Sequence, residues 1–158
     1  MLIRGLGGST GPGEQWGPDE GTQLSQHAIQ LLQPARDGRS ALVLVSSHCG
    51  SCLHLIEQLS TWNDEGLAVV VDGEPGALAD ALRRLPAHTV SVDGVAGAQL
   101  HDELGSPPTP FAIVLDGTTV AGSALLTGGV HYLRTLLNWD ESVELLSPRS
   151  TAAAAGTR

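Results

Sequence analysis

The stretch that decides the fold lies at residues 41–52 and has the sequence ALVLVSSHCGSC. Its apolar, partly β-branched first half predicts a strand buried on both faces, as in the centre of a sheet. The only two cysteines of the chain, Cys49 and Cys52, follow directly and begin a helical pattern. This spacing presents both sulfurs from one helical turn, near an N-terminus whose partial positive charge stabilises a thiolate. The arrangement favours thiol–disulfide exchange, because a structural disulfide normally closes a longer loop.

Alternating strand and helix patterns continue on both sides of this stretch. A first helix is expected to begin with Thr22 as its N-cap and to end before Pro34. In the helix after the cysteines, the spacing predicts an inner stripe of Leu53, Ile56 and Leu59. The predicted strands are 41–46, 67–71, 89–92, 111–115 and 118–126, and the further helices are 49–59, 75–85, 96–104 and one opening at Gly128-Gly129.

This element order predicts an α/β domain with a mixed central sheet. Alternating β and α units give parallel strands, whereas the late strand pair, turning at Asp116-Gly117, gives an antiparallel hairpin at the edge. We expect helices on both faces of the sheet. We predict one domain at residues 22–146, preceded by a flexible lead-in at 1–21 and followed by a disordered tail at 147–158.

Composition narrows the class of partner. The 158 residues carry a formal net charge of -9, and all the basic residues are arginines, which argues against nucleic acid and anionic membranes. No apolar stretch approaches the roughly 18 residues of a membrane span, and no signal-peptide pattern opens the chain. We therefore expect a soluble, cytoplasmic protein as written, or an extracytoplasmic one if an anchor precedes it. We expect no cofactor.

A second motif lies in the later part of the chain, where Thr109 and Pro110 lead into the apolar run FAIVLDG at 111–117. Together with the cysteine motif and the closing hairpin and helix, it resembles the thioredoxin superfamily over residues 40–138. The added βα unit within 75–104 is similar to the TlpA-like branch, which includes the methylamine-utilisation accessory proteins. The resemblance implies a thioredoxin-like three-layer sandwich.

The resemblance also implies roles for individual residues. Cys49 would be the attacking thiol and Cys52 the resolving thiol of a disulfide oxidoreductase. Pro110, the proline that immediately precedes the strand, would be the cis-proline beside the cysteines, although the segment 107–110 holds three prolines. Thr109 would present its backbone to an extended substrate. The implied partners are a protein thiol or disulfide substrate and a redox-recycling partner.

Three positions depart from the family pattern. His48 stands where tryptophan is usual before the first cysteine, Ser51 replaces the usual proline, and Val43 occupies a strand position where many thioredoxins bury an acid. A protonated His48 would favour the thiolate and make the disulfide more oxidising. Gly50 and Ser51 keep the turn small, and the serine hydroxyl can donate a hydrogen bond to a sulfur. These departures point away from a general disulfide reductase.

Two other interpretations of the motif remain open. One is a non-catalytic interaction module of thioredoxin fold, since fold alone does not establish function. The other is a copper or zinc chaperone, with His48, Cys49, Cys52 and His54 as donors. Helix geometry disfavours this four-way convergence, because His54 is expected to point away from Cys52.

Overall fold

The computed structural model describes residues 16–34, 38–62, 66–127 and 129–137. The helices are α1 (Gln26–Leu32), α2 (Gly50–Leu59), α3 (Ala79–Arg83), α4 (Gly94–Glu103) and α5 (Gly129–Leu137). The strands are β1 (Arg39–Val45), β2 (Leu67–Val71), β3 (Val90–Val92), β4 (Phe111–Asp116) and β5 (Thr119–Leu125). A short 3₁₀ turn, Gly76–Leu78, runs directly into α3.

The five strands form one mixed sheet in the order β3-β2-β1-β4-β5. Strands β1, β2 and β3 run parallel, whereas β4 is antiparallel to β1 and β5 is antiparallel to β4. The central strand pairs Val43 with Val69 on one side and with Ala112 on the other. This topology confirms the predicted mixed sheet with an antiparallel C-terminal hairpin, and it is thioredoxin-like.

Alternation along β1 divides the core into two layers. Val43 and its same-face neighbours pack with α2, α3 and α5, whereas Leu42 and Leu44 pack with α1 and α4. Six of the seven β1 residues are buried, so the strand is covered on both faces as predicted. Helices on both faces of the sheet thus give three layers. The carboxyl end of β1, and the cysteine motif that follows it, lie at the end of the sheet where β1, β2 and β3 finish.

The first helix begins later than the sequence pattern indicates. Its N-cap is Ser25, whose hydroxyl oxygen accepts the N–H of Ala28 at 3.0 Å, so the prediction of Thr22 as N-cap was wrong. Thr22 instead extends the sheet edge, because its carbonyl accepts the N–H of Val120 at 2.8 Å. Pairing with β5 holds this segment extended, and the helix starts only where the pairing ends.

The buried face of α2 also differs from the predicted stripe. Leu53 is 36 % exposed, whereas Cys52, Leu55, Ile56 and Leu59 are buried. Residues three and four apart share one face of a helix, and the burial of Cys52 sets which face that is. Leu53, which lies one position further along, is therefore rotated away from the core.

The predicted termini are described only in part. Residues 1–15 of the predicted lead-in and all of the predicted tail at 147–158 lie outside the described residues. Within residues 16–21, Gly21 donates its N–H to the carbonyl of Val120 at 2.7 Å. Gly17 has a positive φ of 85° and lies against Phe111, where an added Cβ would come within 2.9 Å of the ring. In the described part of the chain, no helix is both long and apolar enough to span a membrane.

Candidate active site

The cysteine pair lies where β1 ends and α2 begins. Cys49 is the N-cap of α2 in an extended conformation, and its N–H bonds to the carbonyl of Ser46 at 3.2 Å. The N–H of Cys52 bonds back to the carbonyl of Cys49 at 3.2 Å, which closes the first turn. The two residues form a disulfide with a Cα–Cα distance of 5.3 Å. The fold therefore places the first sulfur at the positive end of the helix.

The two cysteines differ sharply in exposure. Cys49 is partly buried, whereas Cys52 is 0 % exposed and packs in the same core layer as Val43. Among the described residues, the only buried polar or charged side chains are Ser40 and His101. The buried Cys52 therefore shares its core layer with the apolar side chain of Val43. No carboxylate of the described residues is buried in that layer. Of the two cysteines, only Cys49 has surface exposed to solvent.

The residues around Cys49 leave its outer side open. Ser51 Oγ lies 3.6 Å from Cys49 Sγ, within hydrogen-bonding distance for a sulfur atom, as expected for a serine at this position. Gly50 is exposed, and an added Cβ there would meet nothing within 4 Å. The His48 side chain is also exposed. Residues 48, 50 and 51, which flank Cys49 in the chain, are therefore all exposed to solvent.

The proline loop lies beside the cysteine loop. The Thr109–Pro110 peptide bond is cis, which confirms the choice of Pro110 among the three prolines. The carbonyl of Pro110 accepts the N–H of Leu126 at 2.9 Å and so ties this loop to the end of β5. Thr109 Oγ1 lies 3.4 Å from Ser46 Oγ, a contact between two partly buried hydroxyls. Ser46 therefore connects the start of the cysteine loop to the residue before the cis-proline.

Ser46 was not predicted as a site residue. Its only local signal is a polar residue at the end of an apolar strand, which is common at strand ends. Only the pairing of β1 with β4, in which Leu44 lies opposite Phe111, brings Ser46 next to Thr109.

An open cleft of about 530 Å³ lies beside Ser51, the residue that precedes Cys52 in the chain. Its walls come from α2, the cis-proline loop and the segment between β5 and α5. The lining residues are Ser51, His54, Leu55, Gln58, Thr109, Pro110, Leu125, Leu126, Thr127 and Gly129. His54, which was expected at the surface, has an exposed side chain at this cleft. The cleft itself has no sequence signature, because its walls come from separate parts of the chain.

The proposed metal donors do not form a cluster. Within residues 16–34, 38–62, 66–127 and 129–137, no group of three or more His, Cys, Asp and Glu side chains is placed to hold an ion. His48 and His54 are both exposed, and the two sulfurs are bonded to each other.

No protein-family model and no curated protein matches the chain. Among solved structures, it is similar to a thiol:disulfide interchange protein, DsbE, from Chlorobium tepidum. That match has a TM-score of 0.41 and 19 % identity and covers 57 % of this chain and 69 % of the other. Thioredoxin F from spinach chloroplast, in its short form, matches with a TM-score of 0.41 and 17 % identity over 78 % of this chain and 88 % of the other. Thioredoxin from Wuchereria bancrofti matches with a TM-score of 0.43 and 15 % identity over 73 % and 87 %.

The chain's own geometry decides the fold. A central strand leads into the Cys49–Cys52 pair at the start of a helix, and a cis-proline precedes the antiparallel strand beside it. With the closing hairpin and helix, these features give the chain a thioredoxin-like fold with a cysteine pair at its edge.

Proposed function

We propose that the chain is a thiol–disulfide oxidoreductase that acts on a protein partner through Cys49 and Cys52. The observation that carries this proposal is the difference in exposure between the two cysteine residues. An accessible first cysteine at a helix N-terminus is suited to attack, because the helix lowers the pKa of a thiol and raises the thiolate fraction. A second cysteine that is buried directly behind it is suited to resolve the intermediate but not to react with other molecules.

The exchange takes two steps. The Cys49 thiolate attacks one sulfur of the partner's disulfide, which forms a mixed disulfide and releases the other partner sulfur as a thiolate. The Cys52 thiolate then attacks the Cys49 sulfur, which forms the Cys49–Cys52 disulfide and releases the second partner thiolate. Two electrons pass to the partner, whose thiolates take up the two protons that the cysteines gave up. A redox-recycling partner with a dithiol returns the protein to its reduced form.

The neighbouring residues have supporting roles in this proposal. Thr109 offers its backbone to an extended segment of the partner, as an added strand, with Pro110 holding the loop beside the disulfide. Ser51 donates a hydrogen bond that stabilises the Cys49 thiolate. Gly50 keeps the approach to the sulfur open, and His48, whose side chain is exposed, directly precedes the attacking cysteine.

The direction of the reaction depends on the relative stability of the dithiol and disulfide forms. The reduction potential of the Cys49–Cys52 couple measures this relative stability directly. A value near that of thioredoxin, roughly -270 mV, assigns a reductase, whereas one near roughly -120 mV assigns an oxidant.

The proposal is tested with single serine variants in an insulin-reduction assay. Cys49→Ser is expected to abolish turnover, because the attacking sulfur is lost. Cys52→Ser is expected to accumulate mixed disulfides with the substrate, visible by mass spectrometry and reversed by dithiothreitol. Wild-type turnover in both variants would refute the proposal. A wild-type protein that neither reduces nor oxidises disulfides would instead be the non-catalytic interaction module.

A further inference from the structure

We propose that the outer edge of β5 is a docking site for an extended, basic segment of the partner protein, which adds to the sheet as a further strand. This inference rests on the proposed function, because the partner meant is the protein whose disulfide reacts with Cys49. It is carried by the backbone pairing of β5, by the segment of the chain that already covers part of this edge, and by the charge beside it.

The backbone of β5 has hydrogen-bonding groups that face away from the sheet. Strand β5 is last in the strand order, with β4 as its neighbour. The N–H of Leu126 bonds to the carbonyl of Pro110 at 2.9 Å, and backbone groups of an antiparallel strand point alternately toward and away from the neighbouring strand. Leu125 and Ser123 therefore direct their N–H and C=O groups outward. No other described strand or extended segment pairs with them.

The first part of the same edge indicates what kind of group it accepts. Residues 21–24 lie along it: the N–H of Gly21 bonds to the carbonyl of Val120 at 2.7 Å, and the N–H of Val120 bonds to the carbonyl of Thr22 at 2.8 Å. By Gly17 the chain has left this edge and packs against a side chain of β4. The edge thus binds extended backbone, and the chain's own segment covers only its beginning.

The free part of the edge lacks the usual protection against pairing. Exposed sheet edges are normally blunted by charged side chains, proline or β-bulges. Residues 117–127 contain no charged residue and no proline, and residues 122–125 pair regularly with β4. The register shift of this pair lies earlier, between Val114 and Leu115, next to the part that residues 21–24 cover. A regular, uncharged edge is a template for an added strand.

The charge beside the free edge selects a basic segment. Asp19 and Glu20 are exposed in the turn directly before Gly21. Residues 16–24 and 117–127 together hold these two acidic residues and no Lys or Arg. A strand added to the free part lies end to end with the paired segment, and so one of its ends lies beside this turn. A Lys or Arg at that end is attracted by two opposite charges, whereas an acidic residue is repelled.

The other end of the free edge lies near the candidate active site. Leu126, directly after β5, is bonded to the cis-proline loop through the carbonyl of Pro110. Leu125 and Ser51 line the same cleft. A partner segment that lies on the edge is therefore held next to the cysteine loop, which raises the effective concentration of its disulfide there.

The test uses peptide disulfides in which a cysteine, bonded to mercaptoethanol, is joined by a flexible Gly-Ser linker to the segment Arg-Val-Thr-Val-Thr. The second-order rate constant for reduction of each peptide by the reduced protein is measured. We expect this peptide to react about tenfold faster than the same peptide with every amide of the segment N-methylated, because methylation removes the donors of the added strand and keeps its side chains. Replacing Arg by Glu should lower the rate about threefold. Hydroxyethyl disulfide, which carries no peptide segment, reports the redox chemistry alone.

Two sets of variants locate the effect on the protein. Ser123→Pro removes an outward N–H at an edge position, where proline is accepted, and should abolish the preference over the N-methylated peptide. Ser123→Ala keeps this N–H and, as the matched control, should keep the preference. Asp19→Asn combined with Glu20→Gln should abolish the preference for Arg over Glu. Asp80→Asn combined with Glu57→Gln neutralises two exposed acids on α3 and α2 and should leave that preference unchanged.

Each alternative outcome is decisive. Equal rates for the parent and N-methylated peptides in the wild type, or an unchanged preference in a folded Ser123→Pro protein, would overturn the docking edge while leaving the proposed function intact. If circular dichroism finds Ser123→Pro unfolded, the wild-type comparison decides alone. A Glu segment that reacts as fast as the Arg segment would overturn the basic occupant.

Two controls separate this inference from its neighbours. A wild-type dimer in sedimentation velocity that Ser123→Pro dissociates would assign the edge to a second copy of the chain and overturn the partner segment as its occupant. Absence of any reaction with hydroxyethyl disulfide would overturn the proposed function and, with it, this inference.

Discussion

Among the described glycines, Gly97 in α4 leaves the least room for a side chain. An added Cβ would lie 2.2 Å from the carbonyl oxygen of Val71 and 3.0 Å from that of Val92, where ordinary contact begins at 3.4 Å. Both oxygens belong to the backbone of the sheet, so neither can rotate away as a flexible side chain would. Gly97→Ala therefore forces α4 away from β2 by roughly the 1.2 Å that separates 2.2 Å from 3.4 Å.

The cost of this displacement exceeds what alanine contributes. Leu100 and Leu104 of the same helical segment are 0 % and 4 % exposed and would lose part of their packing against the sheet. Overpacking typically costs about 1–3 kcal/mol, whereas alanine in place of glycine gains about 1 kcal/mol in a helix interior. Because the clash is with fixed backbone at two points, we expect the upper end of this cost, about 3 kcal/mol. After the gain of about 1 kcal/mol from alanine, the free energy of unfolding should fall by about 2 kcal/mol net.

The assay is urea denaturation of the oxidised protein, followed by circular dichroism. The matched control is Gly50→Ala, in the first turn of α2, where an added Cβ meets nothing within 4 Å. This control should be as stable as the wild type or slightly more stable, because it removes a glycine from a helix without a clash. If Gly97→Ala were as stable as Gly50→Ala, the inferred contact between α4 and the sheet would be wrong.

Three further predictions concern single side chains. Ser46→Ala removes the hydroxyl that contacts Thr109 and should lower kcat/KM for insulin severalfold, while the rate with hydroxyethyl disulfide stays the same. Ser46→Thr keeps a hydroxyl and should restore kcat/KM for insulin. An equal loss of rate with both substrates would contradict a positioning role for Ser46. Ser25→Ala removes the N-cap of α1 and should lower the free energy of unfolding by about 1 kcal/mol in urea. The guanidinium of Arg134 lies 4.4 Å from the ring centre of the buried Trp62. Arg134→Gln should therefore cost about 0.5–1 kcal/mol, and an unchanged urea midpoint would show that this cation–π contact contributes nothing.

Local sequence patterns predicted an element correctly where the burial and the periodicity of its residues agree. The strand predicted at 67–71 has the same bounds as β2, since a continuous apolar run matches a strand covered on both faces. The prediction that Pro110 is the cis-proline was also correct, because Pro110 adjoins the strand that pairs with β1. Prediction failed at Thr22 and Leu53. At Thr22, pairing with β5, a segment distant in sequence, decided the outcome. At Leu53, the burial of the adjacent Cys52 decided which face of α2 meets the core.

The amino-acid sequence by itself determined the cysteine motif, the strand before it and the alternation of elements that gives a mixed sheet. These depend on side-chain periodicity and on the spacing of a few residues, which are properties of neighbouring positions in the chain. Only the tertiary structure decided that Ser46 meets Thr109 and that a cleft opens beside Ser51. Each of these depends on which strands pair and in what register, and thus on contacts between segments that are distant in sequence.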